Sequence, residues 1–66
     1  MKTVIGKILK LERVKRNKTQ KDIADKLNTD KQYISNVENG LRNITTKQLE
    51  QITNAIGCTH EDIFKI

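Results

Sequence analysis

Between Thr19 and Gly40 the chain (TQKDIADKLNTDKQYISNVENG) is punctuated so tightly that few conformations remain open to it. Thr19 with Asp22 three residues on is a capping pair that starts a helix. Ile23, Ala24 and Leu27 follow at helical spacing as its apolar stripe. Asn28 then stands where the run ends, and after Gly it is the residue most tolerant of left-handed backbone, so a tight turn is predicted there. Asp30 is placed to cap a second helix, which runs to about Asn39 with Gly40 as its terminator and Ile34 and Val37 facing inward. The stretch reads as two short helices joined by a sharp corner.

The same punctuation covers the rest of the chain. Thr3 is positioned to cap a first helix, whose Val4, Ile5, Ile8, Leu9 and Leu11 fall within an arc of roughly 160°; Asn17-Lys18 breaks it. Thr45 and Gln48 form another capping pair, opening a helix with Leu49, Ile52, Ala55 and Ile56 inward and Gly57 closing it. Thr59 caps a short final helix with His60, Glu61 and Asp62 in its first turn, where acids suit the helix dipole, and with Ile63 and Phe64 beyond. Five capped helices with no proline or linker predict one compact all-α domain over residues 1–66.

At 66 residues, 35% apolar and with two aromatics, Tyr33 and Phe64, the core must be thin and aliphatic, so burial in a dimer would help stability. No run of 18 apolar residues offers a membrane span, and the basic start MKTVIGKILK lacks the continuous apolar stretch of a secretory signal. The single cysteine, Cys58, excludes an internal disulfide and fits a reducing cytoplasm. Net charge is +5 and uneven: residues 1–21 hold eight Lys/Arg against one Glu, and residues 22–66 hold five against seven acids. Such a basic block suits a polyanion, nucleic acid or anionic membrane. The basic residues of the first helix are spread around it, which disfavours an in-plane membrane anchor.

The third helix carries the chemistry. Lys31, Gln32, Ser35, Asn36 and Asn39 share one face, opposite Ile34 and Val37. Lys donates to guanine O6 and N7, Gln and Asn can pair bidentately with adenine, and Ser reaches either. Most polar helix faces are merely solvated, but those usually mix Glu with Lys, and this one has no acid. Gln20 and Lys21 open the preceding helix, where free backbone N–H groups attract phosphate, although Gln20 also serves as a plain helix-starting residue. Tyr33 has two readings, packing alone or packing with its hydroxyl on a phosphate. Arg42, Asn43, Thr46 and Lys47 form either a clamp on the sugar-phosphate backbone, with Arg42 entering the minor groove, or a solvated loop.

Elsewhere the sequence offers little chemistry. Cys58 has no resolving thiol and reads as a packing residue. With His60 it makes too few ligands for a metal. A lone His and no supported Ser/His/Asp or paired-carboxylate set give no catalytic residues, so neither an enzyme nor a cofactor is expected. RNA binding finds no aromatic stacking platform.

These residues also carry a resemblance. Over about residues 5–64 the chain resembles the Xre-type, lambda repressor-like helix-turn-helix proteins, which include phage Cro and repressor proteins. The hallmarks are Thr19-Gln20, Ile23-Ala24, Leu27, Tyr33-Ile34-Ser35 and Glu38-Asn39-Gly40. The stretch Arg42-Asn43-Ile44-Thr45 leading into Leu49-Glu50 also looks like the small controller proteins of restriction-modification systems. The resemblance implies base reading by Lys31, Gln32, Ser35 and Asn36, and phosphate contacts from Gln20, Asn39 and the following loop. It also implies a structural ion pair between Arg13 and Glu38. The chain departs from the pattern at Asn28, where the family usually has Gly, at Lys18, commonly apolar, and at Glu12, often Leu.

The expectation is therefore a cytoplasmic, nucleoid-associated transcriptional regulator, a repressor, reading double-stranded DNA through the major groove with residues 19–40. One small domain buries too little to hold a specific site tightly, so a homodimer on a near-palindromic operator is expected, joined through residues 56–66 by Ile56, Ile63, Phe64 and Ile66. The rival reading is an antitoxin or anti-repressor module that grips a protein partner with the same fold. Such a surface would want Leu, Met or aromatic anchors on the third helix.

Overall fold

The computed structural model describes the backbone of residues 2–64 and the side chains of residues 4–59 and 61–63. Five helices follow one another: α1 Lys2–Lys15, α2 Gln20–Lys26, α3 Lys31–Glu38, α4 Thr46–Ile56 and α5 His60–Phe64. No strand is present among the described residues.

The helices are short because each is started and stopped by specific hydrogen bonds. Thr19 caps α2 and Thr45 caps α4, each in a reciprocal box with the residue three positions on. Thr59 does the same with Asp62 before α5, donating its N–H to Oδ2 at 3.0 Å and accepting from the Asp62 N–H at 3.2 Å. Asp30 caps α3 by accepting from the Tyr33 N–H. The stops are also alike. Asn17 and Asn28 (both φ 58°), Gly40 (φ 72°) and Gly57 (φ 96°) are left-handed. After each, the next N–H reaches back five residues, from Lys18 to Arg13, Thr29 to Ala24, Leu41 to Asn36 and Cys58 to Thr53. This closure satisfies helix-end carbonyls that would otherwise be orphaned, and it reverses the chain within about one residue.

The core gathers Leu9 from α1, Ile23 and Ala24 from α2, Ile34 and Val37 from α3, four residues of α4, then Cys58 and Ile63. Each fully covered Ile or Leu contributes roughly 1.5–3 kcal/mol relative to exposure. Burial also pushes the Cys58 thiol above its ordinary pKa, so the neutral, packed form is the stable one.

Three expectations need correction here. Helix α1 already includes Lys2, so Thr3 lies inside its first turn and does not cap it. Val4 and Leu11 are 50% and 65% exposed, not inward. Helix α1 turns Gly6, Leu9, Glu12 and Arg13 to the bundle instead, with Ile5 and Ile8 at the edge. Finally, Ile56 (1% exposed) and Ile63 (2%) are consumed by the protomer's own core, so they have no surface to give a partner. The side chains of Phe64 and Ile66 lie outside the described residues.

Gly6 explains the rotation of α1. A methyl group there would sit 2.3 Å from the Val37 carbonyl oxygen and 2.7 Å from that of Glu38. Only glycine lets α1 lie directly on the C-terminal carbonyls of α3. The buried Glu12 is neutralised on its own helix, where Arg16 donates to Oε1 and Lys15 Nζ lies 3.3 Å from Oε2. Arg16 reaches on to Asp62 at 3.6 Å, linking α1 to α5.

Two outcomes follow from this packing. Helix propensity alone would make Gly6→Ala stabilising by about 1 kcal/mol. The carbonyl contacts predict the opposite sign, a loss of about 1–3 kcal/mol in denaturant unfolding; an unchanged or raised midpoint would mean that α1 does not approach α3 this closely. The second concerns acid. The Arg16 guanidinium lowers the Glu12 pKa, while the Thr19 and Thr59 N–H groups lower those of Asp22 and Asp62. Depressed carboxylates contribute stability above their unfolded pKa, about 4, and lose it as pH falls through the folded values. The thermal midpoint should therefore be flat between about pH 5 and 7 and fall steeply below about pH 4. Asp62→Asn should shallow that fall, and an equally steep fall in this variant would remove Asp62 from the account.

Candidate nucleic-acid interface

Helix α3 hides Ile34, Val37 and Glu38 and turns Lys31, Gln32 and Asn39 to solvent, with Ser35 and Asn36 half-exposed. The outer face is linked along its length. Gln32 Nε2 donates to Asn36 Oδ1 at 2.9 Å, and Asn39 Nδ2 lies 3.4 Å from Ser35 Oγ. In this arrangement Gln32 keeps a free carbonyl oxygen and one free N–H, the acceptor–donor pair that an adenine edge requires. Asn36 keeps both amide N–H donors and the second lone pair of its carbonyl oxygen.

Behind this face lies the link that fixes its position. Arg13 Nε donates to Glu38 Oε2 at 2.7 Å and Arg13 Nη2 to Oε1 at 3.1 Å. The two side chains are only 9% and 3% exposed. The third nitrogen of the guanidinium, Nη1, donates to the Lys18 carbonyl oxygen at 2.7 Å. Gln20 Nε2 completes the set, donating to Glu38 Oε1 at 3.0 Å. The Glu38 carboxylate thus ties α1, α2 and α3 together, and the guanidinium it holds adds the turn after α1. Fork-to-carboxylate pairing of this kind is directional as well as strong.

Gln20 consequently stands differently from its sequence expectation. One N–H of its amide is committed to Glu38, which makes it a positioning residue in the free protein. Around it Arg13, Val14, Asn17, Lys18, Thr19, Lys21 and Lys31 line an open recess at the start of α2. Lys21 is paired there with Asp25 at 2.9 Å; both are largely exposed, so this bond is weak and readily exchanged. The Asp25 carboxylate raises the Lys21 pKa, keeping it cationic. Tyr33 is partly buried against the core, and the Arg42 guanidinium lies 4.9 Å from its ring centroid. That cation–π contact holds Arg42 beside α3 instead of free in the loop. Asn43, Thr46 and Lys47 are exposed.

Sequence reasoning missed the Gln20–Glu38 and Tyr33–Arg42 contacts, since both join residues on different elements. Gly6 did leave a trace, because a glycine inside a helix costs about 1 kcal/mol and asks for a packing reason.

A helix-turn-helix family model matches residues 9–63, which take in α1 from Leu9 onward and the whole of α2, α3 and α4. The chain belongs to the Xre-like helix-turn-helix family. Within it, the control protein C.MunI of Mycoplasma sp is 34% identical over 59 residues, covering 89% of this chain and 80% of that protein. The restriction-modification controller protein C.Esp1396I, solved as a tetramer with its natural 35 base-pair operator, superposes with a TM-score of 0.87. Its identity is 33%, over 96% of this chain and 83% of that one. The same controller solved as the wild-type protein gives an equal TM-score of 0.87 at 33% identity. The Xre-like fold of this chain is thus seen at close superposition in a protein caught on DNA.

Removing one member of the Arg13–Glu38 pair leaves the other charge buried and unmatched, which costs about 3–5 kcal/mol. Arg13→Met and Glu38→Leu should each lower unfolding stability by that order, while the double variant should recover much of the loss. A single-variant cost below about 1 kcal/mol would show that the pair is solvated.

Proposed function

We propose that this chain is a sequence-specific double-stranded DNA-binding transcriptional regulator, a repressor that lays α3 in the major groove. The observation that carries the reading is the outer face of α3: acid-free, rich in amide groups, and held rigidly by Glu38 beside a basic recess. A solvated face would need neither the rigid mounting nor the absence of acids. The operator-bound relative C.Esp1396I supports the reading.

In this account Lys31, Gln32, Ser35 and Asn36 meet base edges. The start of α2, with Gln20 and Lys21, grips phosphate through backbone N–H groups and lysine charge. Tyr33, Asn39, Arg42, Asn43 and Thr46 hold the flanking backbone, with Arg42 moving from the Tyr33 ring to a phosphate or the minor groove. The protein acts as a homodimer on a near-palindromic operator, its half-sites about 34 Å apart. Because Ile56 and Ile63 are committed to the protomer core, the proposed contact between copies narrows to Phe64 and Ile66.

Selection of bound duplexes from a random pool at fixed salt tests the whole reading, since enrichment of a two-fold symmetric site is required. On the selected site Lys31→Ala and Asn36→Ala should each cost about 1–3 kcal/mol and relax preference at one base pair. Equal losses on selected and random DNA would remove base reading from α3. For assembly, Phe64→Asp should yield a monomer in sedimentation, and an intact dimer would dismiss that contact.

A further inference from the structure

The rotation of α1 leaves an outer stripe that the DNA-binding reading does not use. Val4, Leu11 and Val14 are 50%, 65% and 52% exposed, three of the four large apolar residues so exposed among the described residues. At helical spacing they fall, with Lys7, inside an arc of about 80° on the side opposite Leu9 and Arg13. From Val4 to Val14 the stripe runs about 15 Å along the helix. Exposed Lys10 flanks it on one side and Lys15 on the other. Among the described residues Lys7 and Lys10 take part in no ion pair, whereas Lys15 leans back to Glu12.

We infer that this stripe docks an acidic amphipathic helix of a partner protein, its aliphatic residues covering Leu11 and the two valines and its carboxylates meeting Lys7 and Lys10. Charge complementarity selects this occupant. A second copy of α1 would bring Lys7 and Lys10 against the same lysines, and like charges at contact distance are destabilising. Duplex DNA offers phosphates to the lysines but nothing apolar to the valines and Leu11. In addition, α1 packs on α3 with the side opposite the stripe, so most of the stripe points away from the reading face. Only Val14, at the C-terminal end, borders the basic recess. A bilayer would find three aliphatic side chains and no aromatic anchor, too little for stable insertion. The patch amounts to a few hundred Å², which suits a transient contact and not an obligate one.

The test is an NMR titration of the full chain with a synthetic helical peptide carrying Leu on one face and Glu on its flanks. A scrambled peptide of identical composition is titrated in parallel, at near-physiological salt. The helical peptide should perturb Val4, Lys7, Leu11 and Val14 saturably, at least tenfold more tightly than the scramble. Leu11→Ser and Lys7→Glu should each lose about tenfold, while Leu11→Ser leaves affinity for duplex DNA unchanged; both residues are exposed, so the fold tolerates the changes. Equal binding of the two peptides overturns the inference. So does perturbation of the stripe by anionic vesicles but not by the peptide, concentration-dependent shifts of the stripe in the protein alone, or loss of DNA affinity in Leu11→Ser.

Discussion

The buried fork between Arg13 and Glu38 governs the orientation of everything that faces outward. A carboxylate at the end of a helix meant for a polyanion is electrostatically costly, and here the charge is cancelled before it can act. Arg13 supplies two hydrogen bonds and Gln20 a third, so Glu38 becomes a mounting point at which three helices meet. Desolvating such a pair gives little net stability, and its contribution lies in geometry. With Glu38 fixed at one end and the Asp30 cap at the other, α3 has little freedom to roll about its axis.

The bundle reaches this rigidity on a thin aliphatic core because the chain ends are so well satisfied. Four left-handed residues close four helices by one hydrogen-bond pattern, and three Thr-led capping boxes open α2, α4 and α5. The corners are therefore set locally, and the few buried isoleucines and leucines need only clamp elements already near their final directions.

Much of this was legible in the residues themselves. Caps and terminators are short-range chemistry, so Thr19, Asn28, Asp30, Gly40, Thr45, Gly57 and Thr59 announce their roles without tertiary information. Helix α1 was harder. Periodicity shows that an apolar face exists, but Val4, Ile5, Ile8, Leu9 and Leu11 form a broad band. Its phase was decided by Gly6 against the α3 carbonyls and by Glu12, which can be buried because Arg16 lies one turn away. The same limit explains Ile56 and Ile63: a terminal apolar cluster reads equally as core or as surface until the path of α5 is known. On the reading face the side-chain types were plain from spacing. Their partners were not, because the Gln20–Glu38 and Tyr33–Arg42 contacts exist only once α2, α3 and the following loop are assembled.

The physical proposition at the centre is that a rigidly mounted row of lysine, amide and hydroxyl groups meets the floor of the major groove. Methylation protection on a selected duplex probes that most directly, since guanine N7 lies in the major groove and adenine N3 in the minor. The account predicts N7 protection in two patches about one helical turn apart, with adenine N3 beneath them still reactive. Protection confined to adenine N3, or no protection at N7 under saturating protein, would contradict it.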